Sequence, residues 1–203
     1  MNLRYCNFLF RLEFIIIFSL LSSNIKAQQP PKKANDVFYY FLFGGGVGGG
    51  YPQQEGSGIG AVLEVAYEKN NGLFALTYRE LAELKLFTHA NVNNGMKSID
   101  MSYGRTFRQG KFAASLNGGV SFVYSEEKGA FISGTNGFFG LGSDRNYEKI
   151  SRHAIGFPIS VKFYGAPFKV FGAGLELYVN VNGISNFYGV NFNFLFGKLR
   201  EPG

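Results

Sequence analysis

The chain has 203 residues, a formal net charge of +6, and is 46% hydrophobic, 17% aromatic and only 17% charged. Sparse charge with this many rings excludes an intrinsically disordered chain, and the 28 glycines follow no collagen-like triplet. The single cysteine, Cys6, excludes an internal disulfide framework and a cysteine-based zinc site.

Arg4 and Arg11 precede an apolar stretch from Phe14 to Leu21, followed by Ser22, Ser23 and Ile25-Lys26-Ala27. A basic start, a short apolar core and a small residue at the end predict a secretory signal peptide over residues 1–27, cleaved after Ala27. The apolar core falls well short of the roughly 20 residues that a membrane-spanning helix needs. The Ala27-Gln28 junction resembles those of exported Bacteroidota proteins. Residues 28–36, with Pro30 and Pro31, read as a short N-terminal segment, and residues 37–203 as one folded domain.

That domain alternates with period two, as strands with two unlike faces do. Segments near 37–50, 58–69 and 72–86 come first, although Tyr78 to Leu84 also tolerates a helical reading. Next, Ile99, Met101 and Tyr103 oppose Ser98, Asp100 and Ser102 within 98–107. Over 112–124, Leu116, Val120, Phe122 and Tyr124 oppose Ser115, Asn117 and Ser121. The pattern recurs over 154–164, 168–182 and 187–198, giving eight predicted strands. Connections at 70–72, 108–110 and 165–167 are tight and contain the Asn, Gly and Pro that turns favour. Those at 51–57, 88–95 and 125–147 are longer, while the one near 183–186 is again short.

Charge decides which face points outward. A water-exposed surface carries about 25 to 35% Lys, Arg, Glu and Asp. The polar face over 112–124 has no charge and that over 98–107 only Asp100. Small polar side chains suit a narrow bore, and the bulky apolar face suits lipid. The prediction is an all-β fold, an eight-stranded antiparallel up-and-down transmembrane β-barrel with short turns at one end and longer loops at the other. Tyr39, Tyr51, Tyr67, Tyr103, Tyr124 and Tyr188, on the apolar face toward strand ends, are the expected aromatic girdle. Several basic residues, including Arg105, Arg108, Lys169 and Lys198, cluster at the turn end and are read as contacts to anionic lipid.

These residues resemble the small eight-stranded bacterial outer-membrane barrels of the OmpA-transmembrane and OmpX type and the broader outer-membrane β-barrel domain family. The resemblance covers residues 37–200, and Tyr188 to Phe196 resembles a terminal assembly strand. It departs from many members in continuing past Phe196 through Gly197-Lys198-Leu199. It implies export to the bacterial outer membrane, with lipid as the surrounding partner.

Gly44, Gly46 and Gly49 match a dinucleotide fingerprint in spacing, but no helix follows; they read as strand glycines. Ser151 and His153 share a strand face without an identifiable orienting group. No catalytic constellation, cofactor motif, metal motif or nucleic-acid groove is recognisable. Glu64, Asp100, Lys162 and Glu176 fall on bore parity, with Arg79 and Glu83 if the 72–86 strand is so phased; ionised groups there need partners. The loop over 125–147 carries Phe131, Phe138, Phe139, Asp144 and Arg145 as candidates for recognising an extracellular or envelope protein. The expected function is that of a non-enzymatic platform displaying its outer loops, for adhesion, partner binding or envelope integrity. A monomer is the expected state. A narrow lumen-gated pore and a lipid-modifying enzyme remain alternatives.

Overall fold

In the computed structural model, residues 37–51, 57–83, 89–90, 95–135 and 144–199 are described. The expected signal peptide, the 28–36 segment, Phe138 and Phe139 lie outside them. Eight strands form the barrel: β1 (Val37–Tyr51), β2 (Ser57–Lys69), β3 (Gly72–Glu83), β4 (Gly95–Gln109), β5 (Phe112–Thr135), β6 (Asp144–Gly165), β7 (Phe171–Asn182) and β8 (Asn186–Lys198). Each pairs antiparallel with the next, and β1 closes the sheet by pairing with β8 from Tyr39↔Lys198 to Tyr51↔Asn186. Closure leaves no open edge in the barrel wall, so every strand there is bonded on both sides.

The turns joining β2 to β3 and β4 to β5 mark what is here called the lower end. Asn70 and Asn71 both have positive φ, 53° and 67°, as a two-residue hairpin of this twist requires. Gly110 has φ +60° in the next turn. The third lower connection is longer than expected: β7 starts at Phe171 instead of Phe168, because residues 166–170 turn beneath the barrel. There Ala166 donates its N–H to Lys111 O at 2.7 Å, and Leu199 donates to Lys169 O at 2.9 Å.

Side-chain facing follows the alternation. Met101 is 71% exposed and its neighbour Asp100 only 2%. Leu63, Leu76, Val120, Phe157 and Leu175 likewise point outward, while Glu64, Thr77, Ser121 and Glu176 are buried in the bore. The segment at Tyr78 to Glu83 is strand, because β2 and β4 bracket it on both sides.

Two expectations are corrected. The bore is not uniformly small and polar. Tyr40, Leu42, Leu73, Tyr164, Leu195 and Leu199 belong to an apolar cluster in its lower half, and Leu81, Met96, Val123, Tyr178 and Phe187 to another in its upper half. Apolar side chains of mixed size fill the tapering bore where polar ones would need partners. Residues 125–147 are also not mainly loop. β5 and β6 run 24 and 22 residues, against 12 to 15 for the other barrel strands, and continue paired to Thr135↔Asp144. Cross-strand partners such as Phe131 and Tyr147 stabilise this ladder after β4 and β7 have ended. A two-residue strand, His89–Ala90, pairs in parallel with Asp144 and Arg145.

Candidate functional site: a cross-linked bore beneath an outer hairpin

The glycines of β1 shape the bore wall. An added Cβ at Gly44 would collide with Asn193, and one at Gly46 with Asn191, each directly across on β8. Asparagine side chains occupy the space that these glycines leave. Glycine is required there because the neighbouring backbone and amide approach too closely for any side chain.

Five charged side chains meet in the middle of the bore. The Lys162 ammonium on β6 bonds both oxygens of Glu64 on β2 and lies 4.0 Å from Glu176 Oε1 on β7. Thr77 donates to Glu64 Oε2 at 2.8 Å. Arg79 on β3 grips Glu176 with two hydrogen bonds of 2.7 and 2.8 Å, and its Nε reaches Asp100 Oδ2 on β4 at 3.0 Å. Asn191 adds a bond to Glu176 at 3.1 Å, and the Tyr178 hydroxyl donates to Asp100 at 3.2 Å. The Arg79 guanidinium also lies 3.8 Å from the centre of the Tyr178 ring. The result is a chain of alternating sign, Asp100, Arg79, Glu176, Lys162, Glu64. Planar forked pairing and cation–π contact hold Arg79 in place. Five of the six bore residues singled out from the sequence thus converge, and the side chain of Glu83 lies outside the described residues.

A second ion pair escaped the sequence reading. Arg108 turns into the lower bore instead of outward to lipid. Its Nη2 lies 2.6 Å from Glu68 Oε2, and Nη1 donates to the Leu199 carbonyl at 2.7 Å. Tyr164 OH accepts from Nη2 at 3.1 Å, and the Phe38 ring lies 4.2 Å from the guanidinium carbon. Bore parity was the available signal: Glu68 is two steps of two from Glu64, and Arg108 four such steps from Asp100. The chain past Phe196, which departs from the resembled pattern, supplies Leu199 to the apolar cluster of the lower bore.

On the outer wall, Tyr39, Tyr67, Phe74 and Tyr103 form one cross-strand row at the lower end, with Phe74 and Tyr103 rings 4.6 Å apart. Tyr188 and Tyr124 stand toward the upper end, Tyr188 across from Gly49 and Tyr124 across from His153. The side chain of Tyr51 is outside the described residues. Toward the upper end, charge enters the wall above Ile99, Phe122 and Ile155, with Glu80 and Lys97 3.3 Å apart, and at the lower end Arg105 stands exposed across from Gly72.

The hairpin above carries polar pairs exposed to solvent. Lys149 lies 2.7 Å from Glu126, and Tyr124 OH donates to the same carboxylate at 2.7 Å. The Lys149 bond, followed by that from Tyr124, holds the Glu126 carboxyl below the usual carboxylate range. Phe131 is 59% exposed and meets Tyr147 edge-on at 5.6 Å. The side chains of Asp144 and Arg145 lie outside the described residues. Ser151 contacts the Tyr124 hydroxyl at 3.2 Å, and the His153 ring stacks on Phe122 at 5.6 Å and lies 5.1 Å from Tyr124. Among the described residues no hydrogen bond joins Ser151 to His153.

No protein-family model matches this sequence, and no curated protein does. Among solved structures, Neisserial surface protein A is similar in fold with a TM-score of 0.57 at 12% identity, the match covering 81% of this chain and 99% of that one. Ail, the attachment invasion locus protein of Yersinia pestis, gives a TM-score of 0.52 at 9% identity, with 81% and 99% covered. The chain has the fold of the small eight-stranded outer-membrane β-barrels.

Proposed function

We propose that this protein is an integral outer-membrane scaffold whose barrel does not conduct and whose β5–β6 hairpin, standing beyond the apolar wall, recognises an extracellular or envelope protein. The observation that carries this reading is the bore itself. Its middle is cross-linked by ion pairs from five strands and its two ends are stoppered by apolar clusters. Eight-stranded barrels leave little open space to begin with, and here side chains fill it. A pore would need this network to rearrange.

Membrane residence is supported by the outward ring of large apolar side chains, which in water would form an exposed patch far beyond the few hundred Å² tolerated by soluble proteins. Surface recognition is in keeping with the names of the two fold neighbours, a surface protein and an attachment invasion locus protein. The residues proposed to act are Phe131, Phe138, Phe139, Asp144 and Arg145. The separation of Ser151 from His153 supports a non-enzymatic role, because a hydrolase needs nucleophile and base in contact. Export follows cleavage after Ala27, and the working unit is one chain.

The test is photo-crosslinking in living cells from a reactive side chain placed at Phe131 or at Phe157. Protein adducts from Phe131 and lipid adducts from Phe157 are expected. Lipid adducts alone from both positions would overturn the recognition role, and steady single-channel current from the purified chain would favour the pore.

A further inference from the structure

Exposed cations are held differently at the two ends of the barrel. At the upper end Lys97 lies 3.3 Å from Glu80, Lys149 2.7 Å from Glu126 and Arg152 3.7 Å from Glu127. At the lower end Lys69, Arg105, Lys111 and Lys169 are exposed, and the carboxylate beside Lys69 in the chain, Glu68, is turned into the bore onto Arg108. Among the described residues the side chains of Lys69 and Arg105 make no ion pair and no hydrogen bond. Their countercharge must come from outside the chain.

These two cations border one notch. Lys69 ends β2, Gly72 begins β3 and Arg105 lies on β4, and the register sets Gly72 directly across from Lys69 on one side and from Arg105 on the other. Neighbouring strands stand about 4.8 Å apart, so the two cations flank, about 10 Å from one another, a position that has no side chain. The Tyr103 ring leans over that position: an added Cβ at Gly72 would stand 2.9 Å from the Tyr103 hydroxyl oxygen. An ammonium, a guanidinium and a hydroxyl can therefore all donate into the same gap, and a guanidinium fork matches the oxygens of a phosphate.

Position identifies the anion. Lys69 and Arg105 stand two residues below Tyr67 and Tyr103 on the outward face, a step of about 7 Å. Above the Phe74 and Tyr103 pair comes the exposed Leu76 and Met101 pair. An anion in the notch thus has rings and then bare apolar wall above it, where acyl chains run, and a soluble phosphate would use neither. Short turns mark this end as the periplasmic side of such a barrel. Two cations with no carboxylate between them favour a headgroup of net negative charge over a zwitterionic one, whose own ammonium they would repel.

We propose that Lys69, Tyr103 and Arg105, around Gly72, bind the phosphate of one anionic phospholipid whose acyl chains lie along Phe74, Leu76 and Met101. The site rests on the reading of the barrel as a membrane-embedded wall, and it ties the lower rim of that wall to a single headgroup depth.

Native mass spectrometry of the full chain folded in detergent with equal amounts of phosphatidylglycerol, phosphatidylethanolamine and lipid A tests this, because a micelle lacks the surface potential of a bilayer and only lipid held by the protein survives. One phosphatidylglycerol per chain is expected. Lys69→Gln and Arg105→Gln should each lower its retention about fivefold, the factor that one basic residue beside an anionic lipid contributes. Lys169→Gln, at the same end but outside the notch, should leave it unchanged. Equal loss in Lys169→Gln, equal retention of phosphatidylethanolamine, stronger retention of lipid A, or undiminished phosphatidylglycerol on the chain carrying both Lys69→Gln and Arg105→Gln would each overturn the proposal. Lipid adducts from Phe157 in cells, with no lipid retained by the folded chain, would overturn this site alone and leave membrane residence standing.

Discussion

The barrel and the hairpin that rises from it are made of the same two strands yet are held differently. Below Glu126 on β5 and below Gly156 on β6, each strand is bonded on both edges and its inward side chains are packed or ion-paired. Above those positions, among the described residues, β5 and β6 pair only with one another apart from the short His89–Ala90 pairing, and the ladder slips register between Lys128 and Phe131 and again before Ser133. Bulges of this kind add twist and release edge bonding groups. The lesson is a division of labour within a single hairpin: one part is locked by its neighbours, and the other, which we propose meets the partner, is held mainly by its own ladder.

That contrast can be broken most severely from inside. Arg79→Ala removes the one cation that touches both Glu176 and Asp100, and should cost about 3 to 5 kcal/mol, because it strands buried carboxyl groups. The shift between folded and unfolded mobility on gels, followed against temperature or urea, reads the loss. Changing the outer wall is the next largest perturbation. Val120→Arg, at mid-wall on β5 and exposed to lipid, should cost about 2 to 4 kcal/mol and lower the yield of folded barrel. The hairpin should be far more tolerant. Phe131→Ala should leave the unfolding midpoint within about 0.5 kcal/mol of the wild type while removing protein adducts or partner binding. A large loss of stability there would mean that the hairpin is part of the locked region and not its opposite.

Most of the wall was legible in the sequence, because facing depends on a local rule. Met101 and Asp100 point opposite ways simply because successive strand residues do, and two-residue alternation displays it without knowledge of any neighbour. The same rule placed Glu64, Asp100, Arg79, Lys162 and Glu176 together in the bore. It also contains Glu68 and Arg108, but a basic residue beside a turn, such as Arg108, reads as a contact to anionic lipid, and Glu68 then draws no notice as its partner. The hairpin above Glu126 was not legible as strand: glycines, charges and bulges at Gly129 to Ser133 blur the alternation, and only the ladder between β5 and β6 restores it.

By itself, the sequence determined the number of strands and their faces, since both rest on side chains within a few residues of one another. Only the tertiary structure decided which charge meets which. Lys162 and Glu64 are 98 positions apart and Arg79 and Glu176 are 97 apart. Their pairing exists because closing β1 onto β8 carries opposite walls to within hydrogen-bond reach, a distance that no local pattern encodes.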